Sequence, residues 1–232
     1  MLELQIQRIR NEIYECAVAC NRKIDEIKIL AVTKTHPINI INEALESGID
    51  YIAESRVQEA EEKIPKLRGL YEEFHFVGNL QTNKVQRLLA LKPTLIHSVD
   101  RMTTAKTISN FSTKLQRTQD ILIEVNTSGE ESKIGVHPSE CAELIKRVDE
   151  LPFVRVLGLM TIGPLVEDDE VIRKSFSLLR ELFEKEKRRK FKQTQMKYLS
   201  MGMSSDFKIA IQEGANILRL GSILFGERNT KK

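Results

Sequence analysis

What this chain lacks sets the first limits on what it can be. No apolar run approaches the roughly 18 residues that a membrane-spanning helix requires. The opening segment, MLELQIQRIRNEIYECAVACNRK, mixes acids, bases and apolar residues at helical spacing, where a secretory leader would show an unbroken apolar stretch after a basic start. Cysteine is scarce and odd in number: Cys16, Cys20 and Cys141 stand in a chain of 232 residues, which is long enough to fold without disulfides. A soluble protein of the reducing cytoplasm is the expectation. Cys16 and Cys20 share a helix face, but no further Cys or His stands nearby at ligand spacing, so they read as small core residues.

Charge of one sign is missing as well. Lys and Arg total 36 against 33 Asp and Glu, and a net charge of +3 does not by itself point to nucleic acid. One locally basic run, Lys187, Arg188, Arg189, Lys190 and Lys192, follows Glu181, Glu184 and Glu186 at the end of a helical pattern. Cations suit a helix C-terminus, so a solvated helix end is favoured there over an RNA surface. Internal repeats, low-complexity tracts and linkers are also absent, and residues 1–232 read as one domain.

What is present is an alternation. After a leading helix over residues 2–21, short β-branched or apolar runs fall at 27–33, 51–53, 74–77, 95–99, 121–125, 154–161, 198–201 and 217–220. Longer amphipathic stretches separate them, such as 39–47, closed by Gly48, and 138–150, opened by Pro138. Strands alternating with helices signal a parallel sheet with crossover connections. Eight strands suit a closed α/β barrel, a single TIM-type (β/α)₈ unit with an additional N-terminal helix. An open doubly wound sheet would carry a Gly-rich turn after its first strand, and here that strand runs into Thr33, Lys34, Thr35, His36 and Pro37.

In such barrels the active site lies where the strands end. Lys34 directly follows the apolar run Ile29, Leu30, Ala31 and Val32, which aims it from a buried strand end toward the barrel mouth. Burial favours the neutral amine, which is the form that condenses with a carbonyl. A lysine after a strand is by itself more often the start of a loop. Two further segments weigh against that. YLSMGMSSD, residues 198–206, runs a strand into Gly202 and a cluster of hydroxyls, Ser200, Ser204 and Ser205, ahead of a helix near Asp206. Arg219-Leu220-Gly221-Ser222 ends the last strand with a glycine and a hydroxyl. Both follow the seventh and eighth strands, where barrels commonly bind phosphate, and together they point to a phosphorylated aldehyde opposite Lys34. Taken singly, each reads equally well as helix capping and a glycine turn.

The segments AVTKTHP, ESRVQE, HFVGNLQTNK, SMGMSSD and RLGSILFGER, spread from about Lys28 to Arg228, resemble successive signatures of the YggS/PROSC family, the pyridoxal phosphate homeostasis proteins. The resemblance implies a modified TIM barrel similar to the N-terminal domain of alanine racemases. It implies pyridoxal 5′-phosphate as cofactor, joined to Lys34 as a Schiff base, in a protein that stores or transfers it without established catalysis. By matching motif, Ser204, Gly221 and Ser222 would hold the phosphate, Met201 would line the ring pocket, and Arg219 would face the pyridine nitrogen. Ser55 stands where relatives usually carry asparagine beside the cofactor, and a hydroxyl reaches less far than an amide. Ser222 replaces a threonine and keeps the hydroxyl. The implied partners are the cofactor and apo-enzymes that depend on it, with no membrane or nucleic acid, and the protein is expected to be a monomer.

Arg219 carries a physical argument of its own. An acidic partner would protonate the ring nitrogen and make the ring a strong electron sink, whereas a guanidinium keeps its own proton, so carbanion chemistry is expected to be weak. A racemase-like enzyme is the alternative function. It would need a second base, and the chain reaches Lys232 shortly after the last motif, leaving no length for a further domain. A cofactor-free Schiff-base aldolase would also use a barrel lysine and a phosphate site. His75 and His97 read as structural, hydrogen-bonded residues, although whether His75 faces the barrel interior is undecided from the alternation of Phe74 and Phe76. Asn83 and Lys84 read as an anion contact or a helix cap.

Overall fold

A computed structural model of the chain describes residues 1–67, 69–130 and 133–226. In chain order the elements are α1 (Leu2–Ala19), β1 (Lys28–Val32), α2 (Ile38–Glu46), β2 (Tyr51–Glu54), α3 (Val57–Leu67), β3 (Glu73–Phe76), α4 (Val85–Ala90), β4 (Leu95–Val99), α5 (Met102–Lys114) and β5 (Gln119–Glu124). They continue with α6 (Cys141–Asp149), β6 (Val154–Met160), α7 (Asp169–Lys187), β7 (Tyr198–Ser200), α8 (Phe207–Gln212), β8 (Ile217–Leu220) and α9 (Ser222–Phe225). The strands close a parallel barrel in sequence order, with β1 pairing β8 from Lys28 opposite Ile217 to Ala31 opposite Leu220.

Side chains on successive strand positions point to opposite faces, and this produces two cores. Leu30, Val32, Ala53, Leu95, Leu122, Leu157, Met160 and Ile217 pack together inside the barrel. Their neighbours Ala31, Ile52, Ile121 and Leu218 face outward into the layer shared with the helices. Helix α1 buries Ile6, Ile9, Ile13 and Ala17, a 3-4-4 spacing that makes one stripe, and packs that stripe on α8, α9 and α2. Each of its buried isoleucines contributes about 1.5–3 kcal/mol of hydrophobic stabilisation. Arg22, just beyond the helix, donates to the carbonyls of Ile211 and Ala215 at 2.9 and 2.7 Å and so satisfies the C-terminal end of α8.

Strand ends differ from the sequence expectation by one or two residues, for local reasons. Strand β5 begins at Gln119 because the polar pair at its start is satisfied: Gln119 donates to Pro93 O at 3.1 Å, and Asp120 takes a bidentate pair from Arg155 at 2.7 and 2.9 Å. Thr33 leaves β1 early because a turn begins there. The stretch at 138–150 divides into a 3₁₀ turn, Pro138–Glu140, and α6. Gly158 sits at φ +149° where the β5–β6 register shifts, and a Cβ there would lie 1.9 Å from Tyr198 O. Cys141 is fully buried; Cys16 is half-buried and packs against the core, as read, whereas Cys20 is half-buried at the end of α1 and is not part of that core. No helix among the described residues is long and apolar enough to cross a membrane.

Candidate functional site

The loops after β1, β2, β7 and β8 meet over a cavity of about 440 Å³ at the C-terminal ends of the strands. Its lining includes Lys34, Ser55, Ser204, Arg219, Gly221 and Ser222, six of the seven residues singled out from the sequence. Apolar walls come from Val32, Val77, Ile162, Leu165 and Met203. His36 stands at the rim, its ring centroid 4.6 Å from that of Phe225, and ties the loop carrying Lys34 to α9.

Met201 is the exception, and its expected place in the pocket is corrected. It is fully buried in the layer between strands and helices, while Met203 lines the cavity. The reason is the alternation along β7: Leu199 and Met201 face the helices and Ser200 faces inward. Gly202 then reverses the path at φ +92°, packed so closely that a Cβ would lie 2.5 Å from that of Ala210. That turn brings Met203 and Ser204 to the cavity. Asp206 accepts a hydrogen bond from Met203 N and holds the turn ahead of α8. Across the gap, Gly221 N and Ile223 N donate to Ser204 Oγ at 3.4 and 3.1 Å, so the hydroxyl and the backbone amides of the last two loops converge on one point.

Arg219 lies beneath this point and is 5% exposed. Its Nη1 donates to Ser200 O at 2.7 Å and Ser200 Oγ at 2.9 Å, and its Nη2 donates to Thr161 O at 2.8 Å. Burial lowers its pKa to about 10 against the opposing pull of Asp206 and Glu124, so the group remains a cation at neutral pH. Glu124, almost wholly buried at the end of β5, is pushed up to about 7 by desolvation; Arg219 opposes that rise and Asp100 adds to it.

Behind Arg219 a chain of hydrogen bonds crosses the barrel interior, and its polarity is determined by its ends. A guanidinium only donates and the Glu73 carboxylate at the far end only accepts, so with neutral rings between them the Ser200 hydroxyl accepts from Arg219 and donates its own hydrogen to His97 Nδ1 at 2.9 Å. His97 is thereby the Nε2–H tautomer and donates to His75 Nδ1 at 2.9 Å; His75 Nε2–H in turn donates to Glu73 Oε2 at 2.7 Å. Glu73 also pairs with Lys28 at the opposite end of the barrel. Burial alone would raise the Glu73 pKa, but His75 and Lys28 outweigh it and bring it to about 2. Desolvation pulls both histidines below their ordinary range, His97 strongly, which agrees with two neutral rings. His75 therefore faces inward, the point that alternation left undecided.

Other positions singled out from the sequence lie elsewhere. Asn83 and Lys84 belong to a 3₁₀ turn before α4, make no side-chain cap bond there and do not line the cavity. The basic run at the end of α7 is paired with acids, Lys187 with Glu184, Arg189 with Glu186 and Lys192 with Glu150, as a solvated helix end would be. Glu227 and Arg228 of the last motif lie outside the described residues. Ser200, expected with Ser204 and Ser205 in one anion-binding hydroxyl cluster, instead faces the barrel interior between Arg219 and His97 and does not line the cavity. The part played by the Thr161 backbone carbonyl, which any residue could supply, had no signal in the sequence. Chemically, the cavity presents an amine on one side, hydroxyl and amide donors for an anion on the other, and a fixed cation between apolar walls.

Comparison with known proteins agrees with this chemistry. The profile of the family described as alanine racemase, N-terminal domain, matches residues 6–229. The pyridoxal phosphate homeostasis protein of Aquifex aeolicus is 44% identical over 224 residues, 97% of each chain. Among solved structures, one described as an unknown protein from Bifidobacterium adolescentis superposes with a TM-score of 0.91 at 32% identity, covering 97% of this chain and 94% of its own. PipY of Synechococcus elongatus PCC7942, solved with PLP bound, gives a TM-score of 0.84 at 28% identity over 97% of this chain and all of its own.

Proposed function

Because the chain belongs to the alanine racemase N-terminal domain family, in its group of pyridoxal phosphate homeostasis proteins, we propose that it binds pyridoxal 5′-phosphate as a Schiff base on Lys34 and stores or transfers it. The observation that carries the reading is the convergence of Lys34 with Ser204, Gly221, Ser222 and Arg219 on one cavity. The donor set suits the group: an amine for an aldehyde, hydroxyls and backbone amides for a phosphate, and apolar walls for a flat ring. When bound, the cofactor would supply an aldehyde, the group with which a lysine amine such as that of Lys34 condenses with loss of one water.

The protein's own residues account for a holding role. Ser204, Gly221 and Ser222 would hold the phosphate, with the Ser204 oxygen taking the Gly221 and Ile223 amides and its hydroxyl hydrogen left to donate, and Val77, Met203 and Ile162 would shield the ring from water. Arg219 keeps its proton at neutral pH, because even its lowered pKa of about 10 lies well above 7, so it is a fixed donor with no proton to give up and would leave a ring nitrogen beside it unprotonated. Ser55, shorter than an amide, contributes a weaker ring contact. The setting we propose is the cytoplasm, where the free thiols of Cys16, Cys20 and Cys141 persist, and the recipients are apo-enzymes that use the same cofactor.

Reductive trapping tests this. Purified protein incubated with pyridoxal 5′-phosphate should turn yellow and, after borohydride, carry a pyridoxyl group on the peptide containing Lys34; Lys34→Ala should stay colourless. Colourless wild-type protein with unmodified Lys34 would refute the reading. Sustained racemisation of alanine by wild type, lost in Lys34→Ala, would replace the holding role with a catalytic one.

A further inference from the structure

Outside the cavity, three charged side chains grip the turn that presents Lys34. Lys63, on α3 and 8% exposed, spends all three ammonium donors at 2.9 Å: on Thr33 O, on Glu54 Oε1 and on Glu59 Oε2. Glu59 Oε2 also accepts from Thr35 N at 2.7 Å, and Glu54 Oε1 accepts from the Thr33 hydroxyl at 2.7 Å. The carbonyl before Lys34 and the amide after it are thus both held by one ion pair. Between them the backbone is not in a resting shape. Thr35 sits at φ +66°, a left-handed conformation that a β-branched residue seldom adopts without support. None of Glu54, Glu59 and Lys63 lines the cavity.

We propose that Lys63 and Glu59 are positioning residues that clamp the Thr33–Thr35 turn and so set the direction of the Lys34 amine, controlling how tightly an aldehyde is held there without contributing to the phosphate or ring contacts. This rests on the Schiff-base reading above. An alternative role for Lys63, neutralising the buried Glu54, accounts for one of its bonds and leaves the contacts to Thr33 O and the Glu59–Thr35 bond without purpose. Burial would raise the Glu59 pKa, but the Thr35 amide and the Lys63 ammonium hold it below the usual carboxylate range, so Glu59 stays charged at neutral pH.

Two ligands separate a clamp from a general structural support. Pyridoxal 5′-phosphate can condense with Lys34; pyridoxine 5′-phosphate has the same ring and phosphate but a hydroxymethyl group in place of the aldehyde. Glu59→Ala frees the Thr35 amide and leaves the Lys63–Glu54 pair in place. It should weaken pyridoxal 5′-phosphate binding about tenfold, the loss expected for one charge-assisted hydrogen bond, and change pyridoxine 5′-phosphate binding by less than about twofold. Glu59→Gln retains an acceptor for Thr35 N and should recover most of the loss. Lys63→Met should show the same selectivity with a larger effect; if it fails to fold, Glu59→Ala decides the matter. Wild-type affinity for both ligands in Glu59→Ala, or an equal loss of both, would overturn the clamp. A wild-type protein that forms no Schiff base would instead overturn the reading on which it rests, so the two failures are distinguishable.

Discussion

Glu124→Gln should make the cofactor-free protein more stable, and increasingly so as the pH rises. Glu124 is 4% exposed, and burial pushes its pKa from 4.5 up to about 7 despite the attraction of Arg219. Its folded-state pKa is therefore raised. Below about pH 4.5 the carboxyl is protonated in both states and costs nothing. Between 4.5 and 7 the unfolded chain releases a proton that the folded chain retains, so stability is lost as the pH rises and the loss is complete somewhat above 7. The difference between 4.5 and about 7, at about 1.4 kcal/mol per pH unit, comes to about 3 kcal/mol. Glutamine has no proton to lose, so the variant should gain about 1 kcal/mol at pH 5 and about 3 kcal/mol at pH 8. For a domain of this size the latter raises the melting temperature by roughly 6–12 °C. Thermal unfolding of both proteins, followed by circular dichroism at several pH values, reads this directly. The two buried histidines titrate alike in both proteins and cancel in the difference. Parallel curves across pH 5–8 would show that Glu124 is stabilised by contacts other than those described and would refute the argument.

The acid side should behave in the opposite sense. His75 and His97 have depressed pKa values, so their contribution is present above about pH 6.5 and is lost as the pH falls below it. His97→Phe keeps much of the ring volume but strips Ser200 and His75 of a partner inside the barrel, and should lower stability by about 2–4 kcal/mol while flattening that acid limb. A urea midpoint equal to wild type would contradict the directional chain. Gly158→Ala should prevent stable folding, with a loss above about 4 kcal/mol, because φ +149° and a Cβ 1.9 Å from Tyr198 O leave no room for a methyl group. Wild-type yield and melting temperature in that variant would count against the bulge geometry.

Local pattern made much of this protein readable before its structure. A barrel of eight parallel strands follows from β-branched runs alternating with amphipathic stretches, because the periods of 2 and 3.6 are properties of single segments. Lys34, Ser204, Gly221 and Ser222 were readable for the same reason: each sits at a strand end, in a turn whose residues announce it. The side on which a residue falls after a turn is another matter. Met201 falls outside the cavity and Met203 lines it because Gly202 reverses the path, and that reversal depends on how closely Ala210 of α8 approaches. The interior chain was still less accessible. Glu73 and His75, His97, Ser200 and Arg219 come from β3, β4, β7 and β8, and Arg219 is bonded to Ser200, which is bonded to His97 across 103 residues. The clamp around Lys34 likewise joins β1, β2 and α3.

Sequence alone determined the fold class and the placing of Lys34, Ser204, Gly221 and Ser222 at strand ends, since these are written in short spans where neighbouring residues decide the backbone. Only closure of the barrel decided which side chains meet in its interior. Hydrogen-bond polarity, burial and the resulting charge states of Glu124, His75, His97 and Arg219 depend on partners distant in the chain, and no local pattern encodes them.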